Sequence, residues 1–403
     1  MIAMNATRRR VGIYVPNGPA YFARVFAGVA TYYRGRHRWT IVSWPLVVFP
    51  TDSALKQLVA KHAIDGAIAM GTHFWESLAA KSRISVVNIE YNKSPVAALP
   101  RVGVDETAIG RLAADHFRER GMRHLAAVGM EESLPAAERL AAFSAAAEAW
   151  CPEPVQRYDL PLHHHEFAAH DALQRWLQSL PRPVGVFCWN DEAAKYVHSA
   201  CEMVEIKIPE EVALLGVDND EVICNALNRA LSSIDPNAQR VGYEAAALLD
   251  RLMDGAPAPT QPLIVPPIGI VTRASTDMLA IDAPDVVEAV RFIREHADHS
   301  LRVEDVLEHL TMARRSLERQ FHAALGRSPR SEINRVLVER ARDLLANTDL
   351  SIPNIAARCG YPRQNNFTVM FRKQTGQTPT AYRRQTQLTG RTDHDFLTLW
   401  RGG

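Results

Sequence analysis

The sequence predicts a bilobed α/β unit followed by an all-α unit that carries two helix-turn-helix motifs. Three observations predict it. Short apolar runs alternate with amphipathic helical patterns from Val11 to Met253, as in parallel sheets covered by helices on both faces. After Pro284 every apolar stripe has helical spacing. Residues 303–321 recur, in pattern, as residues 352–371.

The elements follow in order. Val11–Val15 reads as a strand, and Phe22, Val25, Phe26, Val29 and Tyr33 then recur at helical spacing. Thr40–Trp44, Gly66–Met70 and Ser85–Ile89 read as strands, with a helix over Ser53–His62. Further along, helices over Thr107–Arg120, Pro135–Trp150 and Asp191–Met203 alternate with strands His124–Val128, Val184–Cys188 and Val212–Val217. A last helix covers Asn237–Met253, and Pro266-Pro267 punctuates the closing strands. Periodicity lapses over 274–284, which sets the expected boundary between units 1–283 and 284–384. Residues 385–403 show no period and are expected to be a poorly ordered tail.

A chain of 403 residues accommodates two or three domains, and 47% hydrophobic with 23% charged residues is a soluble globular composition. The net charge of +1 conceals a split: residues 1–283 hold 27 Lys+Arg against 31 Asp+Glu, and residues 284–384 hold 17 against 12. Residues 350–384 contain Arg358, Arg363, Arg372, Lys373, Arg383 and Arg384 and no acid, which suits a polyanionic partner. Cys151, Cys188, Cys201, Cys224 and Cys359 lie far apart without a CxxC pair, so a reducing compartment is expected and a zinc site is not. The apolar run after MIAMNATRRR is only five residues long, too short for a secretory segment, and no stretch is long enough to span a bilayer. A cytoplasmic location without membrane contact is the expectation.

In the repeat, Val303 matches Ile352, Val306 matches Ile355, Leu317 matches Phe367 and Phe321 matches Phe371. The offset grows from 49 to 50 because the second turn is one residue longer. Gly360 stands where a tight turn needs positive φ. The second helix of each unit is the one expected to enter a major groove. Its polar residues are Arg314, Arg315, Ser316 and Arg319 in the first copy, and Arg363, Gln364, Asn365, Asn366, Thr368, Arg372 and Lys373 in the second. Arg forks onto guanine, Gln or Asn onto adenine, and Arg372 and Lys373 suit phosphates. The competing reading is a plain helical bundle with a solvated polar face.

Residues 285–384 resemble the AraC/XylS family of transcription regulators, above all in "SIPNIAARCGYPRQNNFTVMFRKQTGQTPTAYRR". Thr311 departs from that pattern by standing where a turn glycine is common. Residues 10–275 resemble the periplasmic-binding-protein-like sensing domain of the LacI/GalR family, with two Rossmann-like lobes. "VDETAIGRLAADHFRERGMRHLAAVG", "ERLAAF", "CWNDEAA" and "VALLGVDND" carry the likeness. No counterpart of the LacI/GalR headpiece is expected before Val11, and the combination of modules resembles that of regulators of xylose operons.

The resemblance implies ligand contacts by Asp105, Arg139, Asn190, Asp191 and Asp218, with Tyr21, Phe22, Trp75 and Trp189 as candidate rings against a sugar. Asp105 and Asp191 could equally cap the helices that follow them, Arg139 could be a surface residue, and any one ring could be core. The implied partners are double-stranded promoter DNA, a pentose effector such as D-xylose, a second copy of the chain and, for an activator, RNA polymerase. No cofactor is implied. The alternatives are the same architecture sensing another metabolite, a solute-binding protein, and an enzyme. His165-Glu166-x-x-x-His170 is no zinc motif, because five residues turn a helix by about 500° and separate the two imidazoles. The triplet His163-His164-His165 reads as a polar loop between lobes. No Walker A loop, GxSxG elbow or GxGxxG fingerprint is present.

Overall fold

The apolar runs of the first two-thirds assemble into two main, mostly parallel sheets in a computed structural model that describes residues 8–15, 20–34, 39–43, 52–70, 73–81, 84–89, 99–131, 133–161, 167–278, 280, 283–297 and 301–390. In the first lobe, β1 (Arg9–Tyr14), α1 (Ala20–Arg34), β2 (Trp39–Ser43), α2 (Asp52–His62), β3 (Gly66–Ala69), α3 (His73–Lys81) and β4 (Ser85–Asn88) follow one another. Their strands lie in the order β2-β1-β3-β4, all parallel.

The second lobe continues with β5 (Val102–Val104), α4 (Glu106–Glu119), β6 (His124–Met130), α5 (Leu134–Ala147), β7 (Gln156–Leu160), α6 (Phe167–Ser179), β8 (Val184–Cys188), α7 (Asp191–Met203), β9 (Val212–Val217), α8 (Glu221–Ala226) and β10 (Ser232–Asp235). The chain then forms α9 (Ala238–Met253), β11 (Leu263–Val265) and β12 (Gly269–Val271). Six strands line up as β12-β10-β9-β8-β6-β7, parallel except for β12. Strand β11 pairs with β5. The central strands VGVFC and VALLGV are buried at every residue, as parallel strands covered on both faces must be. The edge strand β7, QRYDL, is largely solvated and carries no apolar alternation, so the sequence pattern passes over it.

Helix α9 returns to the first lobe and crosses α1 at backbone contact. A Cβ at Gly28 would collide with the Gln239 carbonyl, and one at Gly242 with the Val25 carbonyl. That crossing fixes the N-terminal end of α1, which carries Tyr21, Phe22 and Arg24.

The helical unit comprises α10 (Pro284–Glu295), α11 (Val303–Leu310), α12 (Arg314–Leu325), α13 (Pro329–Asn347), α14 (Ile352–Arg358), α15 (Gln364–Thr375) and α16 (Pro379–Gly390). Its core gathers Val306, Leu317, Phe321, Ile355, Phe367 and Phe371, the apolar positions of the repeat. Helix α16 extends six residues into the segment expected to lack order. The first turn of that helix is held by Tyr382, whose ring packs on Phe371 and whose hydroxyl donates to the Ile268 carbonyl. The rest of the expected tail, 391–403, lies outside the described residues, as does the His163-His164-His165 triplet.

Thr311 closes α11 in the left-handed conformation, φ 51° and ψ 45°, as Gly360 does after α14 with φ 73°. A β-branched residue pays about 1–2 kcal/mol there, and its exposed side chain recovers nothing by packing. Thr311→Gly should therefore stabilise the helical unit by about 0.5–1 kcal/mol once the greater freedom of unfolded glycine is subtracted. Thermal unfolding checks it; a lower melting temperature would contradict the strain assignment.

Candidate functional site: a strand-end cleft and a double helix-turn-helix face

The C-terminal ends of β8, β9 and β10 carry Trp189, Asp218 and Asp235, and the N-terminal end of α1 reaches them from the other lobe. Arg24 donates through Nη1 to the Asp218 carbonyl at 3.0 Å and pairs through Nη2 with the Asp235 carboxylate at 2.7 Å. Asp218 leaves the strand with φ 111° and is followed by Asn219 at φ 47°. Two successive left-handed residues without glycine are costly, and such strain collects at ligand sites.

Arg139 on α5 is buried, not a surface residue. Its guanidinium grips the Glu106 carboxylate through Nε and Nη2 and donates through Nη1 to the Trp189 carbonyl. Burial works against the Arg139 charge, but Glu106 and Asp218 beside it outweigh burial and raise its pKa. Burial drives the Asp218 carboxyl up to about 7, against the pull of Arg139 and Arg24 and with a further push from Glu106. A carboxyl group poised near neutrality, beside a buried cation and at a strand end, is a ligand-contact candidate. Tyr21 also lies within the field of Arg139 and stacks edge-on against Phe22 at 5.2 Å. Both rings and Trp189 are half-buried.

Other expected residues have different places. Asp105 caps α4, accepting from Ala108 N at 2.8 Å. Asn190, not Asp191, caps α7, accepting from Ala193 N at 2.8 Å. Asp191 turns inward, where its carboxylate accepts from Asp220 N at 2.8 Å and Ser233 Oγ at 2.6 Å. It thereby ties down the loop that carries Asp218. Trp75 is only 2% exposed and packs with Tyr14 and Phe74 inside the first lobe, because its position on α3 faces the sheet. It belongs to the core and presents no face to a ligand. Sequence reasoning missed Glu106, Arg24 and Asp235. Glu106 stands beside Asp105 in the VDET stretch and reads as a first-turn acid; nothing local says that Arg139 will cover it.

Helix α4 links this cleft to the helical unit. Its N-terminal Glu106 faces Arg139, and at its other end Glu119 Oε2 meets Arg335 of α13 at 3.1 Å while the Glu119 carbonyl accepts from Arg327 at 2.8 Å. Both arginines also hold the fully buried Glu332, at 2.6 and 2.7 Å. Burial opposes the Glu332 charge, yet Arg335 and Arg327 prevail and keep its carboxyl down at about 2. Next to Glu119, the buried Arg120 donates to the Thr276 carbonyl at 2.7 Å, anchoring the strand-to-helix connection.

Helices α12 and α15 each bury one face and expose the other. In α12 Arg314, Arg315 and Arg319 are exposed and Ser316 is half-buried. Arg314 departs from a free base-reading role: Glu304 at 2.9 Å and Glu318 at 3.0 Å pair with it. In α15 Gln364, Asn365, Asn366, Arg372 and Lys373 are exposed, Thr368 is half-buried, and Arg363 caps the helix from an extended backbone.

Among the described residues no group of three His, Cys, Asp or Glu side chains is placed to hold a metal ion. No helix among them is long and apolar enough to cross a membrane.

A periplasmic binding protein-like domain matches residues 114–276 and a helix-turn-helix domain matches residues 306–385. The xylose operon regulatory protein of Escherichia coli (strain K12) is 30% identical over 389 residues, covering 94% of this chain and 98% of that protein. Its namesake from Haemophilus influenzae is 32% identical over 296 residues, 70% of this chain and 74% of that protein. Among solved structures, that of the xylose-binding transcription activator xylR superposes with TM-score 0.58 at 30% identity, over 94% of this chain and 98% of that one. A LacI family regulator from Enterococcus faecalis with bound ribose shares the fold of the α/β part, with TM-score 0.55 at 20% identity over 67% of this chain and all of that one. With a strand-end cleft around the buried Arg139–Glu106 pair, joined through α4 to a double helix-turn-helix face, the chain belongs to the family of xylose operon regulators, DNA-binding transcription regulators in which a periplasmic-binding-protein-like sensing domain precedes an AraC-type helix-turn-helix domain.

Proposed function

We propose that the chain is a sugar-responsive activator of sugar-catabolism genes, acting in the cytoplasm as a homodimer, with D-xylose or another pentose as effector. Residues 1–283 sense the ligand and residues 284–384 bind promoter DNA. The observation that carries the sugar reading is Asp218, strained into the cleft between Arg139 and the Arg24 bridge. A pyranose presents hydroxyls that both donate and accept, so it suits a carboxylate beside a guanidinium. Tyr21, Phe22 and Trp189 supply rings for its C–H faces. Asn190 and Asp105, though capping, keep a second polar atom to offer. The names of the relatives support a pentose.

On the DNA side, Arg315 and Arg319 of α12 and Gln364, Asn365 and Asn366 of α15 face base edges in successive major-groove segments, and Arg372 and Lys373 meet phosphates. A dimer presents four such helices, and as an activator it engages RNA polymerase.

The test is titration of the full chain and its Asp218→Asn variant with xylose, arabinose, ribose and glucose from pH 5.5 to 8.5. A hydroxyl that donates to Asp218 needs the carboxylate. Wild-type affinity should therefore be flat above about pH 7 and fall below it, approaching tenfold per pH unit. Asp218→Asn should bind about tenfold to a hundredfold more weakly at pH 8 and lose that pH dependence. Equal affinity in the two proteins removes Asp218 from the site, and indifference of the wild type to every pentose removes the pentose.

A further inference from the structure

Val369 is 69% exposed in the middle of α15. An apolar side chain on a solvated helix face is unremarkable alone, but its neighbours are not. Asn365 and Asn366 lie one turn before it, and Arg372 and Lys373 one turn after, all exposed on the same side. The buried stripe of α15, Phe367 and Phe371, points away from them. The valine is therefore ringed by two amides and two cations on a stretch of chain, 350–384, that holds no acid. Such a setting excludes a purely apolar protein partner and fits a polyanion with an apolar feature on its surface. The major groove of DNA has one such feature, the C5-methyl group of thymine.

The repeat sharpens the point. Leu317 matches Phe367 and Phe321 matches Phe371, so Asn365 stands where α12 has Arg315, and Val369 stands where α12 has Arg319. Both positions are exposed in both helices. Two arginines, each able to fork onto guanine O6 and N7, have become an amide that pairs with adenine and a branched apolar group that packs on thymine.

We propose that Val369 reads a thymine methyl in the major groove, so that the two helices recognise base pairs of opposite kind: G·C under α12, A·T under α15. The assignment rests on α15 lying in the groove. The half-site is then bipartite, with a guanine-bearing segment and an A·T segment on successive turns of one duplex face.

The experiment uses the full-length chain. A duplex is selected by it from a random pool, with and without D-xylose, and each thymine of the duplex is replaced in turn by deoxyuracil. The replacement removes only the methyl group. At one or two thymines wild-type affinity should fall about fourfold, the factor for about 0.8 kcal/mol per buried methyl-sized group. Val369→Ala, whose melting temperature should match wild type, should bind the parent duplex about fourfold more weakly and be indifferent to uracil at those same positions. A wild type indifferent to every replacement overturns the proposal, as does a Val369→Ala protein that still loses affinity at the same thymine. Asn365→Ala separates the levels: altered base preference beside an unresponsive Val369 refutes only the methyl contact. If Asn365→Ala also leaves base preference unchanged, or no sequence is enriched, α15 is not in the groove and both readings fall.

Discussion

Arg139→Met should destabilise the sensing unit by about 3–5 kcal/mol and abolish its response to ligand, because it strands the Glu106 carboxylate in the interior. Glu106 is 3% exposed and receives two guanidinium hydrogen bonds from Arg139. Methionine fills the space without supplying charge. The stranded carboxyl, which burial already pushes upward, then prefers its protonated form. A raised folded-state pKa favours folding only while the proton is held, so the variant should be more stable at pH 5 than at pH 8, with the loss setting in as pH rises above the ordinary glutamate value. Pairing the change with Glu106→Gln removes the charge and should restore much of the stability while leaving ligand binding absent. Urea unfolding at the two pH values, with sugar titration of the single and double variants, measures all three effects. A single variant as stable as wild type at pH 8 would show that the pair is not desolvated.

Phe371→Ala should remove about 3–5 kcal/mol from the helical unit, a large part of the total stability of such a domain. The ring is fully buried between Phe367, 5.8 Å away, and Tyr382, 5.5 Å away edge-on. It therefore joins α15 to α16. Its loss should loosen the second helix-turn-helix motif and abolish DNA binding, while the sensing unit keeps its own unfolding transition and its affinity for sugar. Differential scanning calorimetry with an electrophoretic mobility assay separates the two. Unimpaired DNA binding would place the DNA-reading surface elsewhere.

Legibility in the sequence followed locality. VGVFC and VALLGV announce doubly covered strands because every residue is apolar, and each helix of the repeat shows itself through apolar positions only three or four residues apart. The cleft was half legible. Asp218 and Arg139 stand out by motif, but the partners that define their chemistry arrive from 33 residues away in Glu106 and 194 residues away in Arg24. The Asn190-Asp191 pair shows the limit at its smallest. Either residue can cap a helix, and backbone geometry at the end of β8 decides that Asn190 does so while Asp191 anchors a neighbouring loop. Trp75 failed as a candidate ring because a large aromatic on a helix is as good a wedge against a sheet as a platform for a sugar.

Helix α4 is held at both ends by ionic groups, and its one glycine, Gly110, is packed against the backbone of α5 at Arg139 and Phe143. A rod held in this way can act as a lever. Fourteen residues make a rod about 21 Å long, so a tilt of about 5° where Glu106 meets the cleft moves the Glu119 end by about 2 Å. Base pairs are stacked about 3.4 Å apart, so that displacement is more than half a step along the duplex. In the dimer proposed above, a closure of that size would be large enough to carry the reading helices into, or out of, phase with the grooves they share.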